Sequence, residues 1–205
     1  NTPCLLQLDS GRVLLFGWAS DDAANATVRL LYSDDDGATW ATSSSGCLPA
    51  SISLDGTTGY TIRSIRVAAA SGQILLIASL YNNAVSNYEI RQYASSDGGN
   101  SFSLVATLLA SATPFYTWPS VLAVSGRFFV ALLDTTGNNV CIWSLSSAYL
   151  PISAGIQTGT IAVGKPILET MLVADENGNL YLSTRFGPLA PPFAWGIWTS
   201  TDLGI

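Results

Sequence analysis

Strand-length apolar segments and short polar turns alternate along the whole chain. Four stretches share one pattern: an apolar strand, a polar turn that ends in glycine, and a second apolar strand. They are LLQLDSGRVLLF, IRVAAASGQILLIA, PSVLAVSGRFFVAL and MLVADENGNLYLS, with turn glycines at Gly11, Gly72, Gly126 and Gly178. Glycine supplies the positive φ that tight turns need, so each stretch predicts a β-hairpin. No stretch has sustained helical periodicity, and we expect an all-β protein.

The hairpins recur at a regular interval. Consecutive turn glycines are 61, 54 and 52 residues apart, and a third strand follows each hairpin, with a fourth after the first three. About four antiparallel strands in a period near 50 residues is typical of a β-propeller. We therefore predict a single propeller domain over residues 1–205 with about four blades. The repeats are expected near residues 1–50, 51–112, 113–160 and 161–205, and the last blade is incomplete.

The alternative all-β architecture is a β-sandwich. A sandwich predicts clean alternation of apolar and polar residues and no 50-residue period. The segments VLLF, ILLIASL and FFVALL are instead apolar on both faces. A propeller blade is covered on both faces by its neighbours, so the pattern favours the propeller.

Composition restricts the chemistry. The 205 residues are 48% hydrophobic and 11% charged, which favours a folded core over disorder. The net charge of −6 offers no basic patch for nucleic acid, and no apolar run is long enough to span a membrane. Histidine is absent, so any catalysis depends on carboxylates, tyrosine, arginine or hydroxyls. Cys4, Cys47 and Cys141 lack metal-ligand spacing, so we expect no metal and no cofactor; they are buried apolar residues, or two of them form a disulfide.

Two turns repeat a more specific motif. SDDDGATW and SSDGGNSF both fit Ser-x-Asp-x-Gly-x-(Thr/Ser)-(Trp/Phe), and a third copy begins near the end of the chain. An aspartate in a tight loop accepts backbone N–H bonds, and glycine takes the conformation closed to other residues, so a structural role is expected. A calcium site at residues 34–36 or 175–179 is the alternative, although neither has the spacing of a full calcium loop. The motif residues are Ser33, Asp35, Gly37, Thr39 and Trp40, then Ser95, Asp97, Gly99, Ser101 and Phe102, then Ser200, Asp202 and Gly204.

These copies resemble the Asp-box, or BNR, repeat of the sialidase superfamily of β-propellers. The first 40 residues are similar to the opening blade of sialidases: a proline before an apolar strand, a glycine hairpin, a second strand and the first box. The resemblance implies that the boxes are structural and peripheral. It also implies a six-bladed fold and an active site with an arginine cluster, a Tyr–Glu nucleophile pair and an Asp acid/base.

The chain departs from that active site. Asn1-Thr2-Pro3 stands where sialidases have Arg-Ile-Pro, and residues 17–20, GWAS, replace the Glu and Arg often found after the second strand. Asparagine cannot give the bidentate, charge-assisted grip on a carboxylate that arginine gives. We therefore expect sialidase chemistry to be lost. The superfamily also contains exo-arabinanase-like enzymes that do not need the arginine cluster, so an active glycoside hydrolase is the alternative.

Several side chains are candidates for ligand binding. Arg63 and Arg66, at the start of the second repeat, either bind an anion or a sugar near the propeller axis or keep a strand edge soluble. Aromatic residues cluster beside prolines in TPFYTWPS, which holds Tyr116 and Trp118, and in PPFAWGIW. Such rings stack on sugars or pack between blades. Glu169 with Tyr116 is a further candidate for a carboxylate–tyrosine site.

The expected setting is extracellular. The triplet Asn-Ala-Thr that begins at Asn25 is an N-glycosylation sequon in a polar segment that should be an exposed loop. The sequence thus favours a secreted, sialidase-like propeller that binds glycans or serves as a structural, non-catalytic module. Self-assembly through the incomplete last blade would make other copies of the chain its partners.

Overall fold

The computed structural model describes residues 3–18, 25–42, 51–111, 118–133, 139–146, 156–162, 167–186 and 194–201. These ranges contain strands and turns without a helix, which confirms the predicted all-β class. No helix in this part of the chain is long and apolar enough to cross a membrane.

Within these described ranges, fifteen strands form four antiparallel sheets, and each sheet uses strands in chain order. Sheet A contains β1 (Cys4–Gln7), β2 (Val13–Trp18), β3 (Asn25–Ser33) and β4 (Ser51–Thr58). Sheet B contains β5 (Tyr60–Ala70), β6 (Gln73–Asn82), β7 (Asn87–Ser95) and β8 (Ser103–Ser111). Sheet C contains β9 (Ser120–Val124), β10 (Arg127–Leu133), β11 (Asn139–Ser146) and β12 (Ile156–Ala162). Sheet D contains β13 (Ile167–Ala174), β14 (Leu180–Phe186) and β15 (Ala194–Ser200).

The sheets correspond to the four repeats, with one shifted boundary. Sheet A extends to Thr58 instead of ending near residue 50, because β4 pairs with β3 in the register Val28–Ile52. The segment SISLDGTT is mostly polar, so its sequence does not predict a strand. It forms the strand β4 through its pairing with β3. Sheet D has three strands within the described residues, whereas the other three sheets have four.

The predicted hairpins form at all four glycines. Each of these glycines has a positive φ, between 70° and 88°. In sheets B and C the turn is the dipeptide Ser71-Gly72 or Ser125-Gly126, and the serines also have positive φ, 52° and 51°. Positive φ at both central residues defines the type I′ turn, whose twist matches that of paired strands.

The core consists of three apolar layers between successive sheets. Sheets A and B share the first layer, with Phe16 and Leu76 among its buried residues. Sheets B and C share the second, and sheets C and D the third. Strands β6 and β10 are buried along almost their whole length because both of their faces are covered. This explains why their sequences are apolar throughout, whereas β2, in the first sheet, alternates.

Equivalent positions of successive repeats meet along the first strand of each sheet. The thiol of Cys4 donates to the carbonyl of Ile65 at 3.0 Å, and the two are 61 positions apart, like the first two turn glycines. The amide of Leu172 donates to the hydroxyl of Ser120 at 2.8 Å, and these are 52 positions apart, like the last two glycines. Strands β1, β5, β9 and β13 therefore follow one another around an arc. No contact of similar extent joins β13 back to β1 among the described residues, so the arc is open there.

The outer face of sheet D is apolar at its two edges. Met171 and Val173 on β13 and Trp195 and Ile197 on β15 are exposed, with Ile197 at 72%. Each of the other interfaces between sheets buries residues of this kind. This face is therefore built like the faces that pack in the interior of the arc.

Candidate functional site

The first acidic turn is closed by hydrogen bonds to Asp35. Its Oδ1 accepts the backbone N–H of Thr39 at 2.8 Å and the hydroxyl of Ser33 at 2.7 Å, and its Oδ2 accepts the Thr39 hydroxyl at 2.6 Å. Ser33 Oγ in turn accepts the N–H of Gly37, whose φ is 88°. Both carboxylate oxygens therefore accept hydrogen bonds within their own turn, which joins β3 to the segment that follows.

The second acidic turn repeats this network at the end of β7. Asp97 accepts the backbone N–H of Ser101 at 3.1 Å and the hydroxyls of Ser95 and Ser101, each at 2.7 Å. The aromatic residues of the two motifs differ in burial. Phe102 is buried and meets Phe16 edge to face at 6.2 Å, whereas Trp40 is half exposed and donates its ring N–H to the Gly37 carbonyl. The two aspartates lie in separate sheets and share no site.

The remaining acidic turn candidates are placed differently. Of the third motif copy, Ser200 is the last residue of β15, and Asp202 and Gly204 lie outside the described residues. Asp175, between β13 and β14, accepts the N–H groups of Asn177 and Asn179 and the hydroxyl of Tyr181. Within the described part of the chain, no group of three or more His, Cys, Asp or Glu side chains is arranged to hold a metal ion.

Acid should weaken both motif turns. Hydrogen bonds from Thr39 hold the pKa of Asp35 at about 2. Burial raises the pKa of Asp97, but hydrogen bonds from Ser101 and Ser95 outweigh it, so the net shift is downward. A carboxylate pKa that is lower in the folded state contributes stability above the unfolded pKa of about 3.9 and loses it as the pH falls toward the folded value. We expect the unfolding temperature to drop between about pH 5 and pH 2.

The drop should be smaller in Asp35→Asn and Asp97→Asn, because an amide has no charge to lose. Asp36→Asn is the matched control in the same turn, because both aspartates are exposed but the hydrogen bonds that close the turn go to Asp35; its unfolding temperature should fall as in the wild type. Thermal unfolding followed by circular dichroism at several pH values measures this. Parallel curves for all four proteins would contradict the assigned role of the turns.

A cleft of about 510 Å³ opens where sheets B, C and D meet. It lies at the strand ends opposite the motif turns: Trp118 and Ser120 come at the start of β9, Glu169 near the start of β13 and Trp195 at the start of β15. The motif turns follow the ends of β3 and β7. Arg66, in the middle of β5, lines the inner side of the cleft. The sequence candidates Arg66, Trp118 and Glu169 are therefore brought together.

The guanidinium of Arg66 is held in place on this inner side. Its Nη1 donates to the Ile65 carbonyl at 2.8 Å and lies 3.7 Å from the sulfur of Cys4. The same group lies 5.9 Å from the centre of the Trp118 ring, a cation–π contact. Burial, partly offset by Arg66, raises the pKa of the Cys4 thiol, so Cys4 packs as a neutral thiol. Trp118 is 40% exposed and lines the cleft.

Glu169 is the carboxylate of the cleft. Its Oε1 accepts a hydrogen bond from Arg185 Nη2 at 3.0 Å, and the two residues are directly opposite in the β13–β14 ladder, beside an irregularity in the register. The ion pair is partly exposed, so it orients the carboxylate without burying it. Trp195, 63% exposed, lies on the same outer side of sheet D. No other carboxylate among the described residues lines the cleft.

The remaining candidates are distributed around the molecule. Arg63 is exposed and lies over the Tyr81 ring at 5.2 Å, away from Trp118. Tyr116 and Cys47 lie outside the described residues, as do Asn1 and Thr2. Asn25 is the first residue of β3, paired with Thr58, so the sequon begins a strand instead of lying wholly in a loop.

A buried polar network in sheet B was not among the sequence candidates. Arg91 donates from Nε to Glu89 Oε2 at 2.7 Å and from Nη2 to the Tyr60 hydroxyl at 2.7 Å, and that hydroxyl donates to Glu89 Oε1 at 2.9 Å. All three residues are less than 10% exposed. Burial and the bond to Glu89 raise the pKa of Tyr60. The sequence contains one indication of this network: Glu89 and Arg91 in YEIRQY have opposite charges and are two positions apart, so their side chains lie on one face of a strand.

Comparison with known proteins supports the architecture. No protein-family model matches the sequence, and no curated protein is detectably similar to it in sequence. Among solved structures, an α-L-arabinofuranosidase of Fusarium graminearum in complex with arabinobiose has a TM-score of 0.71 and 17% identity over 98% of this chain. An α-L-arabinanase of Penicillium chrysogenum complexed with arabinobiose has a TM-score of 0.64 and 18% identity. An exo-β-1,3-galactanase of Phanerochaete chrysosporium has a TM-score of 0.63 and 13% identity.

These neighbours are β-propeller glycoside hydrolases, and they establish a propeller-type fold without singling out sialidases. This chain spans 62% of the length of the first two and 47% of the third. It therefore corresponds to part of a propeller of their size.

Proposed function

We propose that the chain forms the sugar-binding part of a β-propeller glycoside hydrolase. The observation that carries this proposal is the cleft, in which two exposed indole rings, one arginine and one carboxylate meet at a single rim. Indole rings stack on the apolar faces of sugars, and charged groups bind the hydroxyls around the ring edges. The motif turns stand at the opposite strand ends and take no part in the site.

Hydrolysis is the better supported form of this function. The structural neighbours named above are an arabinofuranosidase, an arabinanase and a galactanase, two of them bound to arabinobiose. Sequence alone favoured a module without catalysis, and these similarities favour the hydrolase alternative instead. Glycosidases work with two carboxylates and no histidine. Glu169 supplies one of them in the cleft.

The proposal is tested by sugar release. The purified chain is incubated with arabino-oligosaccharides, β-1,3-galactan and sialosides, and the free sugars are measured by chromatography. We expect release of arabinose or galactose and none of sialic acid, because Asn1 stands in place of the arginine that sialidases use. Absence of any release contradicts the hydrolase.

Glycan binding without hydrolysis is the second candidate. It is favoured by the ion pair between Glu169 and Arg185, since Arg185 occupies Oε1 of the one carboxylate that lines the cleft among the described residues. Calorimetry with the same oligosaccharides distinguishes it from the hydrolase, because it predicts binding without turnover. An extracellular location belongs to both candidates and is supported by the sequon at Asn25.

A further inference from the structure

The inner strand of sheet B carries two arginines that have no acidic partner among the described residues. Three ion pairs are present there, Arg12–Asp34, Arg91–Glu89 and Arg185–Glu169, and neither Arg63 nor Arg66 belongs to one. Arg29 and Arg127 also belong to none of these pairs, but of the four only Arg66 lines the cleft.

Each of the two guanidinium groups is backed by an aromatic ring. Arg66 lies 5.9 Å from the Trp118 centroid, and Arg63 lies 5.2 Å from the Tyr81 centroid. The Tyr81 ring is itself held by Tyr88, whose centroid is 4.8 Å away. Nη1 of Arg66 is taken up by the Ile65 carbonyl, and its other N–H donors have no hydrogen-bond partner among the described residues, so they can bind a ligand.

Both arginines are on the side of sheet B that is turned toward sheet C. Arg66 contacts Trp118 of the segment that leads into β9, and Tyr88 packs against the apolar layer that sheets B and C share. Arg63 falls at an irregularity of the β5–β6 register, between Ile62 and Ser64. A bulge of this kind re-aims a side chain, and bulges are frequent beside functional sites. The two arginines are three positions apart on β5, a separation of at most about 10 Å, because the bulge shortens the strand.

The local charge differs from that of the whole molecule. Arg185 neutralises Glu169 at the outer rim of the cleft, so Arg66 remains as an uncompensated positive charge on the inner side. The chain as a whole carries −6. The local positive charge of the cleft therefore attracts anionic ligands, even though the net charge of the protein is negative.

We infer that the cleft recognises glycans that carry carboxylates, with Arg66 binding a uronate in the cleft and Arg63 binding a second acidic unit along the strand. Guanidinium and carboxylate form two parallel charge-assisted hydrogen bonds, a geometry that neutral sugars cannot use. This inference rests on the proposed function for the site itself, and it adds the class of ligand. The inferred ligands are therefore acidic polysaccharides and not neutral ones alone.

The test compares two trisaccharides that differ only in the carboxylates. Trigalacturonic acid and the galactotriose of the same linkage are titrated into the full chain by calorimetry at low ionic strength. We expect the acidic trisaccharide to bind at least about ten-fold more tightly, the usual effect of a charge-assisted pair. Arg66→Gln should remove most of this preference and Arg63→Gln a smaller part. Arg66→Lys, which keeps the charge, should retain part of it and shows that loss in Arg66→Gln is not loss of the fold.

Arg29→Gln is the matched control, because Arg29 is exposed on β3 far from the cleft. It should leave the preference unchanged. Equal affinity of the wild type for both trisaccharides overturns the inference, and so does an effect of Arg29→Gln as large as that of Arg66→Gln. If the chain releases arabinose from neutral substrates but binds both trisaccharides equally, the hydrolase is supported and this inference is contradicted. If the chain prefers the acidic trisaccharide through Arg66 but releases no sugar, this inference stands and the hydrolase is contradicted.

Discussion

Replacing Arg91 with methionine is expected to lower the free energy of unfolding by about 3–5 kcal/mol. The guanidinium is buried and donates to both Glu89 and the Tyr60 hydroxyl. Methionine fills a similar volume but leaves the carboxylate in an apolar surrounding with one hydrogen bond from Tyr60. An uncompensated buried charge costs several kcal/mol, far more than the pair itself contributes. Urea unfolding at pH 7 measures the loss.

A triple variant separates the charge from the packing. Tyr60→Phe, Glu89→Leu and Arg91→Met together remove the three side chains that bond to one another, so much of the stability should return. Arg12→Met breaks the exposed ion pair with Asp34 and should change stability little, because solvent screens that pair. If Arg91→Met alone is as mild as Arg12→Met, the network is not the buried cluster described above.

Replacing Glu169 with glutamine is expected to reduce sugar release by about 10²–10⁴-fold. Glutamine keeps the shape of the side chain and can still bond to Arg185, but it can neither transfer a proton at the glycosidic oxygen nor attack the sugar. Because Glu169 is exposed, the fold should be unaffected. The initial rate with arabino-oligosaccharides is compared with that of the wild type.

Glu176→Gln is the control for this variant. Glu176 is an exposed carboxylate in the turn between β13 and β14, outside the cleft, so its replacement should leave the rate unchanged. Unchanged turnover in Glu169→Gln would remove Glu169 from the chemistry. Calorimetry on the same variant shows whether oligosaccharide binding survives, as expected if the loss is catalytic.

Local sequence patterns predicted the strands and the hairpins correctly, because both are determined by neighbouring residues. Glycine at positive φ marks each hairpin, and strands that are apolar on both faces mark sheets covered on both sides. The boundary of sheet A was harder to predict, since β4 is a strand only through its pairing with β3. The aromatic residues were predicted either to stack on sugars or to pack between blades, and both placements occur. Trp198 packs between sheets C and D, whereas Trp195 is exposed at the cleft.

The site depends on contacts that sequence does not encode locally. Arg66 and Trp118 were both candidates, but only the packing of β5 beside β9 brings them together. The pairing of Glu169 with Arg185 follows from the β13–β14 register, which an irregularity near Ile167 shifts by a residue. Such a shift changes which side chains face each other, so the pair could be recognised only once the register was known.

The sheet-to-sheet contacts along β1, β5, β9 and β13 allow the connecting loops to diverge freely. The link between β3 and β4, residues 34–50, is much longer than the corresponding link between β7 and β8, residues 96–102, yet sheets A and B still pack through one continuous apolar layer. Because the curvature comes from stacked strands, the longer link leaves the packing of sheets A and B intact. Individual links can therefore change in length or sequence during evolution while the stacked sheets keep their arrangement.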